Sequence, residues 1–377
     1  MEENLQQSVT AADGENAARE NTKLAASAEA GGGSVKTDMM KSYKTDCLKL
    51  GFFLIVTLLI RDLASGLSPL LARSLEGLSN NNPGLAYAVN LMYSGICLQI
   101  IPSLLAAVML NFSLKNLCGG FKAPKNTKKA LANFPALYGA GMTVNLATMG
   151  IMLLLREKGD ISDMVNTTGL NPPNFGSSFV LFVLLAVIAP LFEEFIFRGA
   201  VLRLLQPYGN GLAIFVSAFC FGIYHGNFRQ FFYAFALGIC LGYIAVATKS
   251  LFCSTVLHAL FNSIGGIIMI FISTEAVQLK SLDQSAELTD GQHLVMTFYA
   301  LFMIAVLLTA IFGFASMIKK AVRIRKFSPP KLWGEVGNGK KLAVLMLTGT
   351  VILAELIMID VMGENYIVRG IAGLIGQ

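Results

Sequence analysis

Residues 178–206 read SFVLFVLLAVIAPLFEEFIFRGAVLRLLQ. The run is longer than the roughly 20 residues needed to cross a hydrocarbon core, and it carries Glu193, Glu194 and Arg198 in its interior. It therefore reads as a membrane-spanning helix that holds charge where a single ionisable side chain costs roughly 2.5–3.5 kcal/mol even on the mild insertion scale. Charge kept at that cost is a functional candidate.

The whole chain agrees with this reading. Its 377 residues are 54% hydrophobic and 14% charged, with a mean hydropathy of +0.62. A soluble globular chain carries about 25% charged residues, so a water-soluble one- or two-domain protein is excluded, as are disordered, collagen-like and disulfide-framework classes. The six cysteines, Cys47, Cys97, Cys118, Cys220, Cys240 and Cys253, form no CxxC pair, and five lie in apolar stretches. They read as small buried hydrophobes.

Working outward from the fourth span, apolar runs recur at about 46–68, 84–110, 131–155, 178–206, 210–226, 229–248, 250–273, 292–318 and 342–361. The fold class is all-α, a polytopic transmembrane helix bundle of about nine spans (eight to nine), the short fifth run being the weakest. Residues 1–43 are polar and rich in Ala, Gly and Ser. They lack the apolar stretch of a signal peptide and read as a disordered tail. Loop charge sets orientation. Loop 111–130 holds five lysines and no acid; loop 319–341 holds eight Lys/Arg against Glu335; loop 274–291 holds four acids against Lys280. Nine crossings place the tail and both basic loops in the cytoplasm, in what is expected to be the cell membrane. The net charge of +6 then marks orientation and anionic headgroups rather than nucleic-acid binding. Asn166-Thr167-Thr168 forms a sequon on an outer loop, a motif short enough to arise by chance.

The chemistry starts from Glu193-Glu194. On a helix Glu194 and Arg198 share a face, and a charge-assisted pair would hold Glu194 ionised. Glu193 points about 100° away and keeps no partner from its own helix, which suits it to accept a proton. Pro190 breaks the ladder at the carbonyl of Ala186, a break tolerated where backbone lines a cavity or is buried in protein. Two of the three histidines follow in later spans: His225 ends Phe221-Gly222-Ile223-Tyr224-His225, and His258 shares a helix face with Asn262. Counted from the cytoplasmic end of each span, Glu193 lies about 20 Å deep, His225 about 21 Å, His258 about 12 Å and Asn262 about 18 Å, each within roughly 5 Å. Three helices of alternating direction thus bring their polar residues to one level. A carboxylate and an imidazole can deprotonate a water, while a second imidazole and an amide can stabilise an oxyanion. Glu193, His225 and His258 could also bind a divalent metal such as zinc, although no HExxH pair requires one.

Glu193-Glu194-x-x-x-Arg198, Phe221-x-x-x-His225 and His258-x-x-x-Asn262, flanked by Ala189-Pro190 and Phe197-Arg198-Gly199, resemble the motif set of the CPBP family. These intramembrane endopeptidases group the CaaX prenyl proteases with bacteriocin-processing and immunity proteins. The resemblance covers about residues 178–270. It implies a membrane protease with a four-helix catalytic core, Glu193 and His225 activating water, His258 and Asn262 at the oxyanion site, and Glu194 and Arg198 in the second-glutamate and arginine positions. It also implies a membrane-associated, prenylated or bacteriocin-like substrate, and leaves metalloprotease or glutamate protease open. The expected organisation is a tail at 1–43, N-terminal spans at 44–155, the catalytic membrane core at 156–275 and C-terminal spans at 276–377.

Other features have simpler readings. Gly238-x-x-x-Gly242, extended by Ala234, and Gly222-x-x-x-Gly226 read as close helix packing. Arg61-Asp62 reads as a snorkelling or interfacial pair. Glu355 in the last span reads as a bond to another helix in preference to an accessory site. The competing functions are a proton-coupled transporter using Glu193, Glu194 and Glu355, for which the expected inverted repeat is not visible, and a non-catalytic scaffold or immunity protein on the same fold.

Overall fold

The computed structural model describes residues 34–110, 122–125, 127–154, 174–226, 228–272 and 287–324, together with Pro172, Thr274, 343–345 and Thr348. Its main elements are eight helices: α1 Ser34–Ser74, α2 Pro83–Met109, α3 Phe134–Leu154, α4 Phe175–Tyr208, α5 Asn210–Tyr224, α6 Phe228–Thr248, α7 Leu251–Ile272 and α8 Asp290–Ile324. No strand occurs among the described residues. The protein is an all-helical, polytopic integral membrane protein. Six of its described helices are long and apolar enough to cross a bilayer, and α5 is a shorter apolar helix.

Eight of the nine apolar runs coincide with these helices in order. The ninth, 342–361, lies almost entirely outside the described residues, as do the sequon, Glu355, Cys118 and residues 1–33 of the tail. The tail reading needs one correction, because α1 begins at Ser34 and not after residue 43. Tyr43 is buried, its ring lying 4.8 Å from that of Tyr208 at the end of α4. Ser42 Oγ is 2.9 Å from the Tyr208 hydroxyl, which donates to Asp46 at 2.6 Å. Polar residues that look like tail in one dimension become the helical extension that clamps α1 to α4.

The largest buried cluster joins α1, α4, α5, α6 and α7, for example through Phe53, Phe197, Phe221, Leu241 and Leu257. Large apolar side chains elsewhere, such as Val108, Phe179, Leu308 and Phe312, remain exposed, as lipid-facing positions should in a fold whose exterior solvent is hydrocarbon. Of the free cysteines, Cys47, Cys220 and Cys253 are buried.

Helix pairs approach closely where glycines permit. A β-carbon at Gly238 would lie 2.9 Å from the Ala218 α-carbon, so the glycine motif of α6 packs on α5 as the spacing predicts. The tightest crossing joins α3 and α8: a β-carbon at Gly139 would overlap the backbone of Gly313, and one at Gly313 would overlap the Pro135 carbonyl. Gly313→Leu is expected to force this crossing apart and destabilise the protein by about 1–3 kcal/mol. Thermal unfolding in detergent checks this, and an unchanged melting temperature would contradict it.

Candidate active site

The site is built on an irregular α4. Its backbone is α-helical from Phe175, widens to a π-turn over Leu184–Ile188, returns to α over Ala189–Glu194, and widens again over Phe195–Val201. Such π-segments are uncommon and concentrate at functional sites. The first explains a correction to the sequence reading. The Ala189 N–H donates to the Leu184 carbonyl, five residues back. In that register Pro190, which has no N–H, leaves the Leu185 carbonyl without its helical partner rather than that of Ala186. Asn262 on α7 fills the gap, its Nδ2 donating to the Leu185 carbonyl at 3.0 Å. One amide proton of Asn262 is therefore spent on backbone, and one remains.

The two glutamates have different surroundings. Glu194 is 0% exposed, Arg198 0%, His258 1% and Glu193 7%, so three of the four are sealed and Glu193 alone keeps some access. Arg198 Nη1 lies 2.9 Å from Glu194 Oε1, as their i,i+4 spacing predicts. The other arm of the guanidinium donates to the Gly238 carbonyl at 3.3 Å, and its carbon stands 4.5 Å over the Phe221 ring. Arg198 thereby ties α4 to α5 and α6 while neutralising Glu194, the arrangement a buried charge needs to be tolerated.

His258 stands between the carboxylates. Its Nδ1 is 3.1 Å from Glu194 Oε1 and its Nε2 is 3.6 Å from Glu193 Oε2. The carboxylate–imidazole bond to Glu194 fixes the ring and leaves Nε2 facing Glu193. Glu193 is not without partners, as its own helix suggests. Besides His258, it accepts a hydrogen bond at 3.2 Å from Nε2 of Gln99, in the π-turn of α2.

His225 follows directly on the end of α5. Its Nδ1 lies 2.8 Å from the Phe221 carbonyl. The Phe221 ring stands between the two histidines, at 4.9 Å from His225 and 5.4 Å from His258. Electrostatic interactions link His225 to Glu193 and His258. Glu193, Glu194, Arg198 and His258 thus form one contiguous cluster, His225 lies beside it across the Phe221 ring, and Asn262 bonds the Leu185 carbonyl that Pro190 leaves open.

Arg61 is also part of this assembly, which corrects its reading as a snorkelling pair with Asp62. Its guanidinium donates to the carbonyls of Tyr224 and, at 2.7 Å, of His225. These are the acceptors that a helix C-terminus leaves unsatisfied, and a cation there also suits the helix dipole. Gly226 completes the end with φ +63, a left-handed conformation glycine adopts without cost, and Arg61 occupies the space its β-carbon would need. Sequence reasoning missed Gln99. The available signal was an amide in an otherwise apolar run, too weak to point at one partner.

Among the described residues no group of three His, Cys, Asp or Glu side chains is placed to hold a metal ion. Glu193, His225 and His258, which the sequence allowed as metal ligands without requiring a metal, do not gather into such a group, so no step is derived through a metal.

Comparison with known proteins gives one finding of similarity. Residues 175–264 match the family model described as type II CAAX prenyl endopeptidase Rce1-like. The match spans α4, α5, α6 and most of α7, which are the helices that carry Glu193, Glu194, Arg198, His225, His258 and Asn262. No curated protein and no solved structure matches the chain.

Proposed function

We propose that this chain, whose residues 175–264 match the type II CAAX prenyl endopeptidase Rce1-like model, is an intramembrane endopeptidase in which Glu193 and His225 are the water-activating pair. Glu193 suits the task because it is the acidic residue of the cluster that combines partial access with a carboxylate not consumed by Arg198. That contrast between neighbouring glutamates is the observation that carries the reading. In this scheme Glu193 takes a proton from water, and the water oxygen attacks the scissile carbonyl carbon. The oxyanion is met by His258 Nε2, in the protonated form of that ring, and by the remaining amide proton of Asn262. Glu193 then returns the proton to the leaving amine. Glu194 and Arg198 orient His258 and hold α4 to its neighbours.

The substrate class proposed is a membrane-associated peptide or protein, prenylated or bacteriocin-like, with its cleavage site entering from the cytoplasmic face. The tail and the basic loops 111–130 and 319–341 lie on that face of the cell membrane in this reading. The test is cleavage of a farnesylated peptide by purified wild type, Glu193→Ala and His225→Ala. Cleavage by wild type and loss in both variants supports the reading, and equal activity in all three removes it.

A separate prediction concerns metal. Wild-type activity is expected to survive dialysis against EDTA and 1,10-phenanthroline, because no three-residue donor set is assembled among the described residues. Loss of activity restored by zinc alone would overturn this expectation.

A further inference from the structure

Gln99 is an amide in an apolar part of α2. Its neighbours Ile96 and Ile100 are exposed, whereas its side chain turns to α4, where Nε2 donates to Glu193 Oε1 at 3.2 Å. The backbone that aims it is fixed. Gln99 lies in the π-turn Ile96–Ile100, which the Ile101 N–H closes on the Ile96 carbonyl, and the buried Ser103 hydroxyl donates to the Gln99 carbonyl at 2.7 Å. Such turns concentrate at functional sites. The two carboxylate oxygens of Glu193 therefore face different helices, Oε1 towards Gln99 on α2 and Oε2 towards His258 Nε2 on α7, at 3.6 Å. Only the N–H end of an amide can donate to a carboxylate, so Glu193 decides which way the Gln99 amide turns. The cost falls on the other end. Gln99 Oε1 is buried and has no hydrogen-bond partner among the described residues, and an orphaned buried acceptor is destabilising and uncommon. An apolar side chain would pack here without that cost. What the amide adds is its bond to Glu193.

We propose that Gln99 is a positioning residue of the reaction, which fixes the plane of the Glu193 carboxylate. This rests on the hydrolytic reading of the site. The terminal torsion of a glutamate is soft, with no sharp staggered well to hold the carboxyl plane. One N–H bond to Oε1 sets that plane and keeps Oε2 turned to the His258 side. Further lone pairs of the same carboxylate stay open for the proton of water. Gln99 transfers no proton and changes no charge; it acts through the aim of the base, and small errors of aim are costly in the attack step. The bond comes from α2, outside the matched residues 175–264, so the water-activating centre is completed by a helix beyond α4–α7.

Gln99→Met keeps the length of the side chain and removes both the N–H and the orphaned oxygen. Polar side chains in membrane helices also serve as bonds between helices. A glutamine of that kind would lower the melting temperature when replaced and leave turnover by the folded protein unchanged. Full-length wild type, Gln99→Met, Glu193→Asp and the double variant are compared on one farnesylated peptide, with kcat and KM measured separately and melting temperatures recorded in detergent. In Gln99→Met kcat is expected to fall about 10-fold, below the roughly 10²-fold that an ångström of misplacement can cost, with KM unchanged. The melting temperature should not fall, because the lost bond and the relieved oxygen oppose each other. Glu193→Asp keeps a base but withdraws the carboxylate from Gln99 by one carbon, so adding Gln99→Met to it should change kcat no further. Wild-type kcat in Gln99→Met, a change confined to KM, a loss that follows a lowered melting temperature, or the same fold-loss in both backgrounds overturns the proposal. If folded wild type itself fails to cleave, the hydrolytic reading falls and this one with it. If wild type cleaves, Glu193→Asp is impaired and Gln99→Met keeps the wild-type kcat, the hydrolytic reading stands and Gln99 is excluded.

Discussion

Glu193→Gln is expected to lower kcat by about 10²–10⁴-fold, the range for loss of a general base, with little change in folding. The amide keeps the shape of the side chain and can still present an oxygen to Gln99, whose Nε2 donates to Glu193 Oε1. It cannot take a proton from water. Because Glu193 shares no ion pair with Arg198, its neutralisation leaves the buried Glu194–Arg198 pair intact. The measurement is steady-state cleavage beside thermal unfolding. A variant that cleaves at the wild-type rate would remove Glu193 as base and direct attention to Glu194.

Arg198→Met is expected to act on folding first, by about 3–5 kcal/mol, the cost of breaking a buried ion pair from one side. The substitution leaves Glu194 at 0% exposure with its arginine partner gone and His258 still beside it. It also removes the bond to the Gly238 carbonyl and the cation over Phe221, so α4 loses its ties to α6 and α5. The double variant Glu194→Gln/Arg198→Met should recover much of that stability, because replacing both partners of a buried pair is often close to neutral. It should not recover activity, since the Glu194 carboxylate that orients His258 is gone. Unfolding in detergent separates these outcomes. A single Arg198→Met variant as stable as wild type would show that the pair is dispensable for the fold.

These contrasts show what was legible in one dimension. The Glu194–Arg198 pair followed from i,i+4 spacing, because two residues of one helix meet wherever that helix goes. Depth counted along each span raised the expectation that Glu193, His225 and His258 share a level, and the structure brings His258 to both glutamates with His225 across the Phe221 ring. Partners from elsewhere in the chain were not legible. Gln99 lies 94 residues from Glu193 and Arg61 lies 164 from His225. Neither spacing nor depth selects which helix face turns towards the site. Arg61 looked like a snorkelling residue because the sequence shows its neighbour Asp62 and hides the carbonyls that α5 brings to it.

The sequence by itself determined that the chain is an all-helical membrane bundle and which scarce polar residues sit inside it. Both follow from the cost of leaving charge or unpaired backbone in hydrocarbon, which leaves a chain of this composition few alternatives. The tertiary structure decided how those residues divide their work. Only side-chain packing places His258 between the glutamates, spends an amide proton of Asn262 on the Leu185 carbonyl that the π-turn and Pro190 leave open, and brings Gln99 and Arg61 from the N-terminal helices to the site. Such contacts depend on helix rotation and on local backbone register, and a shift of one residue from α to π geometry is enough to change which carbonyl needs a partner.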